Sequence, residues 1–236
     1  MYLSLFIFYP IKYAMPYSTF IKLKLEKRQR ITDIALRAFA LQDYEAVSIT
    51  RLMQELALPK GSFYQYFEDK KDLYFYLFEH FQQKKETITA QYVSKTTAHF
   101  FDFWEELLVG ELQYHWENPV EWSFWLNAHR ERNSLEIGNL QMLILQRMAQ
   151  QLLGTLRQES KHGYIRQDLN IELSAYFFAQ TGDAITQFIL HKYNLNLAEN
   201  IRESKTLPAF PTIEVRIVVS QWLAMLKRSV TTQGEI

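Results

Sequence analysis

Apolar side chains recur at intervals of three and four along most of this chain, the spacing of one face of an α-helix. Ile31, Ile34, Ala35, Ala38 and Phe39 form the first such set. The pattern breaks at Gln42-Asp43-Tyr44, where Asp43 tolerates a left-handed turn and is expected to end the helix. Ser48 then precedes Ile49, Leu52, Met53 and Leu56, a second short apolar face. A serine hydroxyl in that place accepts from the first free backbone amides, so Ser48 is read as an N-cap. Ala57-Leu58-Pro59 breaks the pattern again, and Pro59 opens a third helix from Lys60 to Phe67. Asp69, with Asp72 three residues on, caps a long aromatic helix through Leu73, Tyr76, Leu77 and Phe81.

Residues 86–236 read as five or six further helices. His99 to Tyr114 carries Phe100, Phe101, Phe103 and Trp104, and Asn118-Pro119 interrupts it. Pro119 to Arg132 adds Trp122, Phe124 and Trp125. Leu135 to Glu159 forms a long amphipathic stretch that stops at His162-Gly163. Ile171 to Tyr193 and Ile213 to Arg228 are strongly apolar, with a linker holding Pro208 and Pro211 between them.

Composition narrows the picture. The 236 residues include 7 Gly and 6 Pro, too few for a fold built on strands and turns. Aromatic residues make up 15% and charges balance at 26 basic to 26 acidic, which excludes intrinsic disorder. With no cysteine, disulfide scaffolds, zinc-thiolate sites and cysteine nucleophiles are excluded, and a reducing, cytoplasmic setting is expected. The balance is uneven along the chain: residues 1–85 hold 13 Lys/Arg against 9 Asp/Glu. Most of that excess is Lys12, Lys22, Lys24, Lys27, Arg28 and Arg30, a basic arm suited to a polyanion. The opening apolar run stops at Pro10, about half the length of a bilayer span, and no membrane partner is expected. It also lacks the marks of a signal peptide. Met15 offers an alternative start, so residues 1–14 are read as a start-site artefact or an extension.

Three short helices in about forty residues, the last two joined by a tight turn, make a helix-turn-helix arrangement over residues 48–67. In such a motif the later helix enters the major groove of DNA. That helix reads Lys60-Gly61-Ser62-Phe63-Tyr64-Gln65-Tyr66-Phe67. Gly61 lets the backbone approach a phosphate or base edge, and Lys60, Ser62, Tyr64 and Gln65 offer hydrogen-bonding groups. Phe63 and Phe67, four apart, are expected to point into a small core.

These residues, with Arg30-Ile31, Ala38-Phe39, Tyr44, Ser48-Ile49 and Lys70-Lys71-Asp72-Leu73, resemble the DNA-binding domain of the tetracycline-repressor (TetR) family. The resemblance spans roughly residues 25–85. It implies an all-α protein: an N-terminal three-helix head at 25–85, preceded by an arm at 1–24, and a larger helical domain at 86–236. It implies a homodimeric regulator, usually a repressor, that binds an inverted-repeat operator in double-stranded DNA and releases it when a small molecule binds. DNA contacts are then implied at Ser48, Thr50, Arg51, Tyr66 and Lys70 as well. The chain departs from the family pattern at Asp43 and Ala57, where glycine is common, at Pro59 in place of a Ser/Thr cap, and at Met53 in place of alanine. The lost cap bond is worth about 1 kcal/mol.

In the family, the pair corresponding to 171–193 and 213–228 builds the interface with a second subunit. Here Ala175, Ala179, Gly182 and Ala184 permit close approach, and Val215, Val218, Val219, Trp222 and Leu226 supply apolar surface. The aromatic band around Phe103, Trp104, Trp122 and Trp125 is the candidate lining for a hydrophobic or aromatic effector. His99, Tyr114, His115, Asn127, His129 and Asp183 are its candidate polar groups. No cofactor or metal set is read from the sequence. Its one Glu-x-x-His pair, Glu159 and His162, stands at a helix end, and His99 with Asp102 is a lone pair on one face. No phosphate-binding loop or nucleophile elbow appears. A helical interaction protein without ligand response, or an all-helical enzyme, are the alternatives.

Overall fold

The computed structural model describes residues 16–89, 91, 99–132 and 134–231. The start-site reading of residues 1–14, and Lys12 of the basic arm, lie outside them. Helix follows helix throughout: α1 (Ser18–Ile21), α2 (Leu25–Leu41), α3 (Ile49–Glu55), α4 (Lys70–Thr89), α5 (Phe100–Glu117), α6 (Pro119–Arg130), α7 (Leu140–Lys161), α8 (Ile171–Lys192), α9 (Leu197–Arg202) and α10 (Thr212–Val230). Short 3₁₀ turns occupy Tyr44–Ala46 and Lys60–Gln65. Among the described residues the only extended pairings are isolated bridges, Ser134 with Gly138 and Ile165 with Thr231.

The helix ends follow from their capping side chains. Ser48 Oγ accepts from the Arg51 amide at 3.4 Å and opens α3 as expected. At the head of α4, Asp69 Oδ1 accepts from the Asp72 amide at 2.7 Å, and Asp72 Oδ2 accepts from the Glu68 amide at 3.1 Å. That reciprocal pair satisfies two of the otherwise orphan donors. Asn139, Asn170 and Asn196 cap α7, α8 and α9 by accepting from the amides of Met142, Leu173 and Glu199.

Three expectations change. Residues 135–139 do not continue α7 toward its start: Gly138 takes φ 73°, Ser134 Oγ accepts from the amides of Glu136 and Ile137, and Leu135 is fully exposed. The expected linker between α8 and α10 contains α9, which follows the left-handed Asn194. The arm contains α1, whose Phe20 is fully buried against Phe67 and Tyr76 at ring separations of 4.8 and 5.2 Å.

In the body, α7 packs along α8 and α10 along α5, while α6 lies between the body and α2 of the head. Only Asn118, at φ −127° and ψ 66°, stands between α5 and α6, with Pro119 opening α6 where no amide proton is needed. The head–body joint combines ring contacts, such as Tyr74 with Phe124 at 5.3 Å, with polar bonds. Ser123 Oγ donates to the Ala40 carbonyl at 2.7 Å, and Asn127 Nδ2 donates to the Phe39 and Ala40 carbonyls at 2.9 and 3.1 Å. These are last-turn carbonyls of α2 that its own helix cannot pair. Tyr44 adds an amide bond to Glu131 at 3.1 Å and a hydroxyl bond to Glu136.

Candidate functional site

The turn ahead of the recognition segment is set by Ala57, which takes φ 55°, so that the Leu58 amide returns to the Met53 carbonyl at 2.9 Å. Pro59 follows in an extended conformation without a side-chain cap, and its carbonyl accepts from Ser62 N at 2.9 Å. The segment Lys60–Gln65 is a 3₁₀ turn rather than the expected α-helix through Phe67. An i→i+4 bond appears only at its end, from Phe67 N to the Phe63 carbonyl at 3.0 Å. Phe63 and Phe67 are buried, as their spacing requires. Lys60, Gly61, Tyr64 and Gln65 face outward, Tyr64 with 54% of its surface exposed, and Ser62 is half-buried. A methyl group built on Gly61 would meet nothing within 4 Å. Glycine is therefore not demanded there by the chain's own packing.

Ser48, Thr50 and Arg51 are exposed at the start of α3, beside this segment. Two of the implied DNA contacts fall elsewhere. Tyr66 is 7% exposed, against the ring of Phe20 at 5.9 Å. Lys70 Nζ donates to the carbonyls of Tyr44 at 3.0 Å and Glu45 at 3.4 Å and stands 4.3 Å from the Tyr44 ring. It fastens the turn after α2 instead of reaching outward. Two residues missed from sequence hold the segment's far end: Thr19 Oγ1 donates to the Gln65 carbonyl, and the Tyr17 amide to that of Tyr66 at 2.9 Å. One turn of helix carries too little periodicity to reveal them.

The candidate pocket residues divide into groups. His115, Trp122, Trp125 and His129 form one ring cluster with Phe81 of α4. Asp183 joins it from α8, its Oδ1 3.2 Å from His129 Nδ1. Trp104 sits in a separate layer, against Phe178 at 5.1 Å and Trp222 at 5.7 Å, and Phe103 is buried on the same helix. Burial, together with the hydroxyl's donation to Glu121, pushes the Tyr114 pKa far up. His99 is a correction: it stands at the N-terminus of α5 with 44% of its side chain exposed, its ring 4.4 Å from that of Tyr164. Asn127 is another, since it is spent on the α2 carbonyls. A cleft of about 480 Å³, not foreseen from sequence, opens beside it, lined by Gln42, Asp43, Arg130, Leu190 and Asn196. Among the described residues no group of three or more acidic, histidine or cysteine side chains is placed to hold a metal, and no helix is long and apolar enough to cross a membrane.

Residues 31–77 match the model of the bacterial regulatory proteins, tetR family. Over the whole fold, the crystal structure of a TetR family transcriptional regulator from Chloroflexus aurantiacus J-10-FL aligns with TM-score 0.75 at 27% identity, covering 93% of this chain and 100% of that one. Residues 31–77 thus resemble the DNA-binding domain of the TetR family, and the whole fold is similar to that of a TetR family regulator. An HTH-type transcriptional regulator of Staphylococcus aureus (strain USA300) is 35% identical over 75 residues, which cover 28% of this chain and 40% of that relative. The chain thus spans less than half the length of the curated relatives it matches. FadR of Bacillus subtilis, solved in complex with stearoyl-CoA, shares the fold, with TM-score 0.58 at 17% identity over 81% of this chain and 96% of its own.

Departures from the TetR pattern resolve differently at each position. Asp43 does not take a left-handed turn: it is extended at φ −62° and ψ 154°, and its carbonyl accepts from Ala46 N to build the 3₁₀ turn. α2 ends one residue earlier, where Gln42 swings to φ −142°. Ala57 does take the left-handed conformation common for glycine in this family. Met53 is accommodated at 3% exposure in the TetR-type head.

Proposed function

We propose that this chain is a sequence-specific transcriptional regulator that sits on an inverted-repeat operator as a homodimer and leaves it when a small apolar effector binds. The observation that carries this reading is the division of the recognition segment. Phe63, Tyr66 and Phe67 are locked into the head, while Lys60, Gly61, Tyr64 and Gln65 are presented outward with Gly61 open to close approach. Such a surface suits phosphate attraction by Lys60 and base-edge contacts by Tyr64 and Gln65. A second copy fits the exposed apolar side chains of α8 and α10: Leu173, Phe177 and Phe188 on one, Ile213, Ile217 and Met225 on the other. Two copies bring two reading heads to successive turns of one duplex face. The family, with no membrane-crossing helix among the described residues, favours a cytoplasmic protein.

Coupling runs through α6. One face carries Trp122, Trp125 and His129 into the ring cluster; another carries Ser123 and Asn127 to the carbonyls of α2. An occupant that displaces α6 displaces the head with it, which changes the spacing of two heads in a dimer. Selection of random duplexes on the purified chain should return an inverted repeat. On that sequence, Lys60→Ala and Tyr64→Ala should each weaken gel-shift affinity about tenfold with dimerisation unchanged. Unaltered shifts for both variants would overturn the assignment of the reading segment.

A further inference from the structure

Three nitrogens inside the body have no hydrogen-bond partner among the described residues: His115 Nδ1, Trp122 Nε1 and His129 Nε2. Their residues are 3%, 0% and 7% exposed. Buried polar atoms are almost always paired, so three orphans in one neighbourhood mark a requirement the chain does not fill itself. They are neighbours through their rings. His115 stacks on Trp122 with centroids 5.7 Å apart and planes 20° from parallel. Phe81 lies 6.1 Å from His115 and 5.7 Å from Trp125, and Trp125 holds His129 at 4.3 Å.

The chemistry of the missing partner follows from the groups present. An indole N–H only donates, so whatever meets Trp122 is an acceptor. The formal charges around the cluster have partners: Lys85 with Glu111 at 3.0 Å and Arg147 with Glu79 at 3.2 Å, while Asp183 Oδ1 lies 3.2 Å from His129 Nδ1. Burial, with Lys85 and His129 adding to it, holds the His115 pKa well below its ordinary value, so that imidazole is neutral. A carboxylate entering here meets cations already engaged and the acids Glu111 and Asp183. An ammonium meets Lys85 and Arg147. An uncharged acceptor satisfies the indole without either repulsion, and the rings of Phe78, Phe81 and Trp125 suit an apolar body behind it.

We propose that the effector is an uncharged molecule with a carbonyl-class acceptor on an apolar body, and that Trp122 Nε1, stacked on His115, donates to that carbonyl. This rests on the ligand-responsive reading above, and its test is kept apart from DNA. Calorimetry on the full chain compares 2-acetylnaphthalene with 2-ethylnaphthalene, its near-isostere without an acceptor, and with 2-naphthoate. The ketone should bind about tenfold more tightly than either, the effect of one buried donor paired or left unpaired. In Trp122→Phe, with the fold verified by circular dichroism, the ketone's advantage over the ethyl compound should shrink toward one. Equal affinities of ketone and ethyl compound for the unaltered chain, tighter binding of the naphthoate, or no binding of any of the three would overturn the proposal without recourse to the variant. Failure of the regulator reading would register instead as an absence of sequence-selective DNA retention.

Discussion

Ala57 holds a backbone conformation that a Cβ penalises by about 1–2 kcal/mol. Glycine removes that penalty while loosening the unfolded chain by ~0.4–1 kcal/mol. Ala57→Gly should therefore stabilise the protein by roughly 0.5–1 kcal/mol, read as a higher urea midpoint with an unchanged slope. The sequence exposed this position because Ala-Leu-Pro interrupts a periodic pattern on its own. Lys70, Asn127 and His99 were opaque for the opposite reason. Lys70 bonds a carbonyl 26 positions away and Asn127 one 88 positions away, and such partners exist only after the chain has folded. A lysine at the head of a helix looks the same whether it meets phosphate or its own backbone.

Among the elements, α6 serves two neighbours at once, and its polar grip on α2 has a measurable signature. Ser123 and Asn127 both donate to the Ala40 carbonyl, so loss of either leaves that oxygen paired. Ser123→Ala and Asn127→Ala should each cost about 1 kcal/mol, and the double variant more than their sum, because only then is the buried acceptor stranded. A double-mutant cycle by urea unfolding measures this; strict additivity would mean that the two donors do not share the carbonyl. Long amphipathic helices such as α5, α8 and α10 were legible because many turns repeat one pattern. The short α1 and α9 offer four and six residues, too few to express a period. The stretch from Leu135 misled through its apolar Leu135 and Ile137, although Gly138 ahead of a capping asparagine marks where α7 starts.

For the whole molecule, the exposed apolar side chains of α8 and α10 are the contact of the proposed dimer. Phe177→Glu together with Ile217→Glu places charge on both exposed faces while leaving the buried Phe178 and Val219 in place. Sedimentation of that variant should give a monomer at micromolar concentration, with thermal stability retained and operator affinity lost. A dimer of unchanged affinity would move the contact elsewhere. The helical class followed from composition, and the head from its reading segment. How the head is set on the body did not, since its polar bonds, the α2 carbonyls on Ser123 and Asn127 and Tyr44 on Glu131 and Glu136, join residues far apart in sequence.

Asn118 alone separates two long rods, with a proline stiffening the residue that follows it. Such an elbow leaves little freedom to bend, so under the coupling proposed above a push along α5 should pass on to its successor. Slack spliced in at that corner should then leave both domains folded and uncouple DNA affinity from the proposed effector.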